Sequence, residues 1–176
     1  SANTDTASIT VTAVNDAPVL TPATPTLTSI TEDDTDNAGD LISAIVGSSI
    51  SDVDTGAVEG IAITGLVSSN GTWQVRIGAG SWTDVGTVSE SSALLLASTD
   101  SVRFVPDGEN ADAASFTYRA WDQTSGSAGT KVDASTYGGT TAFSANADTA
   151  SITVTAVNDA PVLTPAAPTL TSITED

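Results

Sequence analysis

The sequence predicts an all-β fold, an antiparallel sandwich of two sheets. Three observations carry that expectation. Apolar residues alternate with polar ones in short runs; turn residues separate the runs at close intervals; and no long 3.6-residue period appears. Composition agrees. The 39% hydrophobic content is mostly aliphatic, Met is absent, and Lys and Arg together number four, a balance that favours strands and turns over helices.

Ser8–Val14 opens the series. Ala7, Ile9, Val11 and Ala13 would share one face and Ser8, Thr10 and Thr12 the other, which reads as a half-buried antiparallel strand; Ser151–Val157 has the same sequence. Pro18, and later Pro22 and Pro25, have no N–H to give a ladder and hold the chain extended, so the module boundary is placed here and again at Pro161. Thr26–Thr31 reads as a short strand, the apolar β-branched run Leu41–Ile50 as a second, and Gly60–Val67 as a third. Asn70-Gly71 is a hairpin signal leading into Thr72–Ile77. Gly78-Ala79-Gly80 turns the chain into Trp82–Val85. Ser91–Ala97 is ambiguous and reads as a short irregular or helical piece. Ser101–Val105 and Ser115–Trp121 read as strands with Val102, Phe104, Phe116, Tyr118 and Ala120 inward. Gly126–Gly139 reads as a long loop or weak hairpin, and Ala142–Val157 closes the unit.

The strongest single feature is internal repetition. Residues 1–33 return as 144–176, Ser8 becoming Ser151 at an offset of 143 positions, and only Thr4/Ala147 and Thr24/Ala167 differ. Identity at a fixed period marks a tandem array. The expected division is 1–16 as the closing strand and linker of a preceding repeat, 17–159 as one full repeat, and 160–176 as the linker and first strand of the following one. A 143-residue unit exceeds the roughly 100 residues of a minimal immunoglobulin-type sandwich, so added hairpins and loops are expected between Asn70 and Thr99 and between Gln123 and Thr141. Serial identical units suit a spacer better than catalysis.

Charge narrows the partners. Asp and Glu number 22 and the net charge is −18, which disfavours nucleic acid and anionic membranes and favours cations. Without Cys or His there is no disulfide, no thiolate or imidazole metal site, and none of the common nucleophile–base pairs. No 18-residue apolar run or lipidation motif is present; no membrane insertion by this segment and no enzyme activity are expected. Trp73, Trp82 and Trp121 offer an alternative, a carbohydrate-binding surface, with Trp121 the best candidate because it alternates out of phase with Phe116 and Tyr118.

The carboxylates cluster at strand ends: Asn15-Asp16, Glu32-Asp33-Asp34, Asp52-Val53-Asp54, Asp107-Gly108-Glu109, Asp122 and Asn158-Asp159, with Glu175 the second copy of Glu32. Strands running between two poles would sort them, Asn15, Asp16, Asp52, Asp54 and Asp122 to a near pole and Glu32, Asp107, Glu109, Asn158 and Asp159 to a far one. The far pole of one unit would then meet the near pole of the next. Five or more hard oxygen donors in irregular geometry suit Ca²⁺, which takes six to eight, better than Mg²⁺, which keeps its waters. A lone Asp-x-Asp is usually only an Asx-turn; the set of clusters is the more specific signal.

Asn-Asp-Ala-Pro at a module end, Asp-Val-Asp-Thr-Gly after it, and Ala120-Trp121-Asp122 at a strand end are similar to cadherin-type repeats. VNDAPVL, SITED and RFVPDGENADAASFTYRAWDQ more closely resemble extender repeats of giant bacterial RTX-type adhesins, over almost the whole period. That resemblance implies a cadherin-like or immunoglobulin-like β-sandwich in a calcium-stiffened stalk, secreted to the bacterial cell surface, where it would serve cell adhesion and biofilm formation. It implies monomeric chains whose partners are calcium ions and neighbouring identical repeats. Carried over by position, Glu32 matches the early Glu, Asp52 and Asp54 the Asp-x-Asp, Asp122 the Ala-x-Asp, and Asn158 and Asp159 the linker. The chain departs in two places: Ala156 or Val157 stands where the cadherin linker begins with Asp, and Asp107-Gly108-Glu109 replaces Asp-Arg-Glu.

Overall fold

A computed structural model describes residues 3–176. The fold is built from two main sheets. In chain order the strands are β1 (Val19–Leu20), β2 (Ile30–Thr31), β3 (Asp40–Leu41), β4 (Ile50–Ser51), β5 (Gly60–Val67), β6 (Gly71–Arg76), β7 (Thr83–Asp84), β8 (Ala93–Ala97), β9 (Ser101–Pro106), β10 (Asp112–Trp121), β11 (Lys131–Val132) and β12 (Phe143–Thr155). One sheet has the order β11-β8-β5-β10-β12-β2, the other β3-β9-β6-β7, and β1 pairs with β4 beside them. All pairings are antiparallel except β2 with β12, which is parallel.

Alternation along β10 and β9 turns Phe116, Tyr118, Ala120, Val102 and Phe104 into the space between the sheets, where all are fully buried. Trp73 joins them edge-on, its ring centroid 5.2 Å from both Phe104 and Phe116. This is the main core. A second, smaller core lies on the outer side of the six-stranded sheet, where Ala62, Leu95, Trp121 and Phe143 are covered by Ala134, Ala142 and Val132. The segment between β10 and β12 therefore acts as a lid that buries a second face, with only β11 drawn into the ladder.

That second core accounts for two departures from expectation. Ser91–Ala97 holds the regular strand β8 rather than a helical piece: Ala93, Leu94, Leu95 and Leu96 are buried on both faces, and a strand buried on both sides loses its alternation. Trp121 points away from Phe116 and Tyr118 as expected, but it is 1% exposed, under the lid, with its Nε1 donating to Ser125 O at 2.7 Å.

Other expectations fail for local reasons. Leu41–Ile50 is not one strand: β3 and β4 flank a one-turn helix, α1 (Ile42–Val46), whose Ile42, Ile45 and Val46 are buried. Their i, i+3, i+4 spacing is a helical signal, and Gly47 at φ 52° ends the turn. Asn70-Gly71 makes no hairpin, because β5 pairs with β8 and β10 whereas β6 pairs with β7 and β9. The dipeptide carries the chain from one sheet to the other. Gly71 is needed for close approach, since a Cβ there would lie 2.4 Å from Val105 O and 2.5 Å from Phe104 Cζ. The expected turn at Gly78–Gly80 does join paired strands, β6 and β7. Of Thr26–Thr31 only Ile30–Thr31 enters the ladder, with an isolated bridge from Thr26 to Ser151. Ser8–Val14 forms no strand and is exposed, whereas the first five residues of its sequence copy, Ser151–Thr155, lie in β12.

Candidate functional site at the two acidic poles

The register fixes which acids share an end. Gly60 of β5 lies opposite Trp121, and Val67 opposite Ser115; Phe143 of β12 lies opposite Trp121, and Val154 opposite Asp112. One pole therefore holds the C-terminal end of β10 and the start of β12, the other the start of β10 and the end of β12.

At the near pole, Asn15, Asp52, Asp54 and Asp122 line one cleft with Thr55–Val58, Gln123 and Thr124. Asp122, 4% exposed, stops β10. Its Oδ1 accepts from Thr124 N at 2.8 Å and Thr124 Oγ1 at 2.6 Å, and its Oδ2 accepts from Asn15 Nδ2 at 2.9 Å. Asp16 N donates to Asp54 Oδ2 at 2.9 Å. Asp52 Oδ1 accepts from Asp54 N at 2.8 Å, the Asx-turn that an Asp-x-Asp favours. Its other oxygen, Oδ2, is buried with no hydrogen-bond partner. The linker dipeptide Asn15-Asp16 is thus already docked on the acids of the unit that follows it.

At the far pole, Glu32 follows β2 and is 2% exposed. Its N–H donates to Thr155 O at 3.0 Å and its Oε1 accepts from Val157 N at 2.7 Å. Glu32 Oε2, like Asp52 Oδ2, is buried without a partner. Asn158 and Asp159 come directly after Val157 and are exposed. Asn158 Nδ2 donates to Asp159 O at 3.4 Å, as Asn15 Nδ2 does to Asp16 O at 3.2 Å, so the two linker copies share a local contact.

The remaining expected residues differ. Asp107 sits at the far pole in a turn whose Gly108 comes near Thr35, but its carboxylate is occupied locally, by Asn110 Nδ2 at 2.9 Å and by Glu109 N and Asn110 N at 3.0 and 2.9 Å. The Asn110 side chain, followed by the Glu109 backbone donor, holds its pKa below the ordinary carboxylate value. Glu109 and Asp33 are exposed turn residues. Glu175 is exposed and far along the chain from Glu32, its copy. Among the described residues no group of three or more Asp or Glu side chains is arranged to hold a metal ion.

Asp148 was not among the expected site residues. It is 5% exposed and accepts from Ala23 N at 2.8 Å, Thr24 N at 3.1 Å and Tyr118 Oη at 3.3 Å, tying the segment that opens the unit to β12. Burial, then the neighbouring Asp148 charge, raises the Tyr118 pKa beyond its ordinary range. The signal was in the alternation: Asp148 falls in phase with Ala150, Ile152 and Val154, and a charge on the inward face of a strand needs donors.

The tryptophans form no platform. Trp73 and Trp121 are buried, and Trp82 is half-buried, with the Arg76 and Arg103 guanidinium carbons 4.8 and 4.5 Å from its ring.

Compared with protein-family models, curated proteins and solved structures, the chain has no match to any of them.

Proposed function

We propose that the chain is a calcium-stiffened extender unit of a large surface adhesin, holding a ligand-binding tip away from a bacterial cell. The observation that carries this reading is the pair of buried carboxylate oxygens without donors, Glu32 Oε2 at one pole and Asp52 Oδ2 at the other. Leaving a buried acceptor unpaired costs about 1–3 kcal/mol, and more when it is charged. An ion that both oxygens reach removes that cost.

The repeat supplies the joint. Asn15-Asp16 docks on Asp122 and Asp54, and Asn158-Asp159, the same dipeptide, comes one residue after the Val157 that holds Glu32. In a tandem pair the Glu32 end of one unit therefore meets Asp52, Asp54 and Asp122 of the next across a two-residue linker. On this reading each side of the joint contributes part of the donor set. Glu32, Asp52, Asp54, Asp122, Asn158 and Asp159 offer only oxygen, the donor type that Ca²⁺ takes in sixes to eights. Bound there, Ca²⁺ would neutralise the facing carboxylates and brace the joint.

Extracellular calcium modules bind with dissociation constants on the order of 10⁻⁴–10⁻³ M, so the stalk would set outside the cell rather than within it. The test uses a chain of two complete periods. Small-angle scattering and thermal melting are expected to report a longer particle and a higher midpoint in millimolar calcium than in chelator, with Asp52→Asn removing most of the difference. Identical length and midpoint in both buffers, with no metal bound, would overturn the reading.

A further inference from the structure

We propose that the seam between residues 17–33 and β12 is a load-bearing clamp, which gives the unit a second function, resisting tension along the stalk. The inference rests on the extender reading for the source of the load, and not on calcium.

The load points follow from where the chain crosses the two poles. At the near pole Asn15 is held by Asp122, and Asp16 by Asp54. At the far pole Val157 is held by Glu32. Tension between successive units therefore pulls the start of the 17–33 segment and the end of β12 in opposite directions. β2 runs parallel to β12, and Thr26 meets Ser151 in the same sense, so the two load points lie on adjacent, parallel stretches. The pull runs along the seam, and contacts that lie across it are strained together. A seam opened from one end parts one contact at a time.

The contacts suit that direction. Pro18, Pro22 and Pro25 have no N–H to give, and only Thr26, Ile30 and Thr31 pair with β12. Side chains of β12 supply what the ladder lacks. Asn146 Nδ2 donates to Leu20 O at 2.9 Å, and Asp148 accepts from Ala23 N and Thr24 N at 2.8 and 3.1 Å. Ser151 N donates to Pro25 O at 3.0 Å, Leu27 N to Ser151 O at 2.8 Å and Glu32 N to Thr155 O at 3.0 Å. Leu20 and Leu27, 1% and 5% exposed, key the segment into the main core. Hydrogen bonds to a carboxylate are roughly twice as strong as neutral ones, which makes Asp148 the strongest polar contact of the seam.

The segment also has little slack. Ala17 N donates to Gly139 O at 2.8 Å, beside the start of β12, and Thr31 pairs with Thr155 at its end. Residues 17–31 reach at most about 50 Å, and the 13 residues of β12 span about 43 Å. Load applied at residue 17 is therefore felt along the whole seam at once. The opposite edge of β12 is laddered to β10 between Asp112 and Trp121 and is the stronger attachment. The 17–33 seam slips first, and slipping draws Leu20 and Leu27 out of the core.

Forced unfolding reads the unfolding barrier directly, and the chain has no cysteine, so pulling handles can be placed at will. Val14, Thr140 and Ala160 are exposed. Handles on V14C and A160C load the seam lengthwise; handles on V14C and T140C open it from the near pole. Single molecules are pulled in chelator at one speed, and the force at first rupture is compared. The lengthwise force is expected to exceed the opening force by on the order of twofold or more. D148N should lower the lengthwise force and leave the opening force unchanged, because an opening seam yields at Ala17 before Asp148 is reached. Equal forces in the two directions overturn the proposal, as does a D148N loss that is absent lengthwise or equally large on opening. Should D148N fail to fold, the two directions compared on the native seam decide alone. Because chelator is present throughout, a negative calcium test of the joint leaves this comparison standing, and the reverse holds too.

Discussion

Residues 5–14 and 148–157 have one sequence and two structures. The later copy lies in and just beyond β12, paired with β10 on one side and β2 on the other, with Ile152 and Val154 4% and 2% exposed. The earlier copy makes no ladder, and its Ile9 and Val11 are 89% and 86% exposed. The opening segments divide in the opposite sense: Leu20 and Leu27 are buried while Leu163 and Leu170 stand in solvent. Alternation gives a segment the capacity to be a strand, and a neighbouring strand with the complementary face realises it. Each buried copy has the body of residues 17–157 beside it.

The comparison breaks most visibly when one charge is placed at paired positions. Ile152→Asp buries a carboxylate between β10 and β2 and is expected to unfold the unit, at a cost above about 4 kcal/mol; Ile9→Asp should leave the urea midpoint unchanged. A fall in stability with Ile9→Asp would mean the earlier copy has a partner of its own. Next in size are Leu27→Ala and Leu170→Ala. The first empties a filled site and should cost about 2–5 kcal/mol, the second nothing measurable by the same denaturation.

The fold was legible where apolar and polar residues alternate in the sequence: Val102 and Phe104 of β9 and Phe116, Tyr118 and Ala120 of β10 are core residues as the alternation predicts. It was illegible where two faces are buried, as in β8, or where pairing depends on strands distant in sequence, as when Asn70-Gly71 joins two sheets instead of two partners. The acids were legible as clusters, and the direction of β10 places Asp122 at its C-terminal end as expected; Asp52 and Asp54 reach the same cleft although Leu41–Ile50, read as one returning strand, is broken by α1. What single residues could not reveal was saturation: Asp107 is spent on its own turn, whereas Glu32 and Asp52 each keep a buried oxygen free. That difference arises from loops closing around a side chain and leaves no trace in spacing.

Asp148 and Asp5 sharpen the comparison for a polar group. Asp148→Asn keeps one acceptor but loses the charge that draws two backbone N–H groups and the Tyr118 hydroxyl. A loss of about 1.5–3 kcal/mol is expected, the range for hydrogen bonds to a charged group, read as a lowered midpoint and as faster amide exchange at residues 23 and 24. Asp5→Asn, in the exposed copy, should change neither.

The smallest effect is one of pH, and it contrasts the far pole with the unpaired segments. Burial pushes the Asp112 carboxyl upward, but donors from Asn70, Ser69 and Ala113 outweigh it and leave the pKa below 3.8. A folded-state pKa lower than the unfolded one means that the stabilisation is fully present above 3.8 and is lost as pH falls through the lowered folded value. Melting followed from pH 6 downward should therefore decline more steeply below 3.8 for the native chain than for Asp112→Asn, whose amide does not titrate. The two curves should run parallel above that value. Equal slopes on the acid side would mean that the donors of residues 69 and 70 hold the Asp112 side chain no more tightly in the folded chain than water does in the unfolded one, and the arch between β5 and β6 would then owe its position to Gly71 and the core alone.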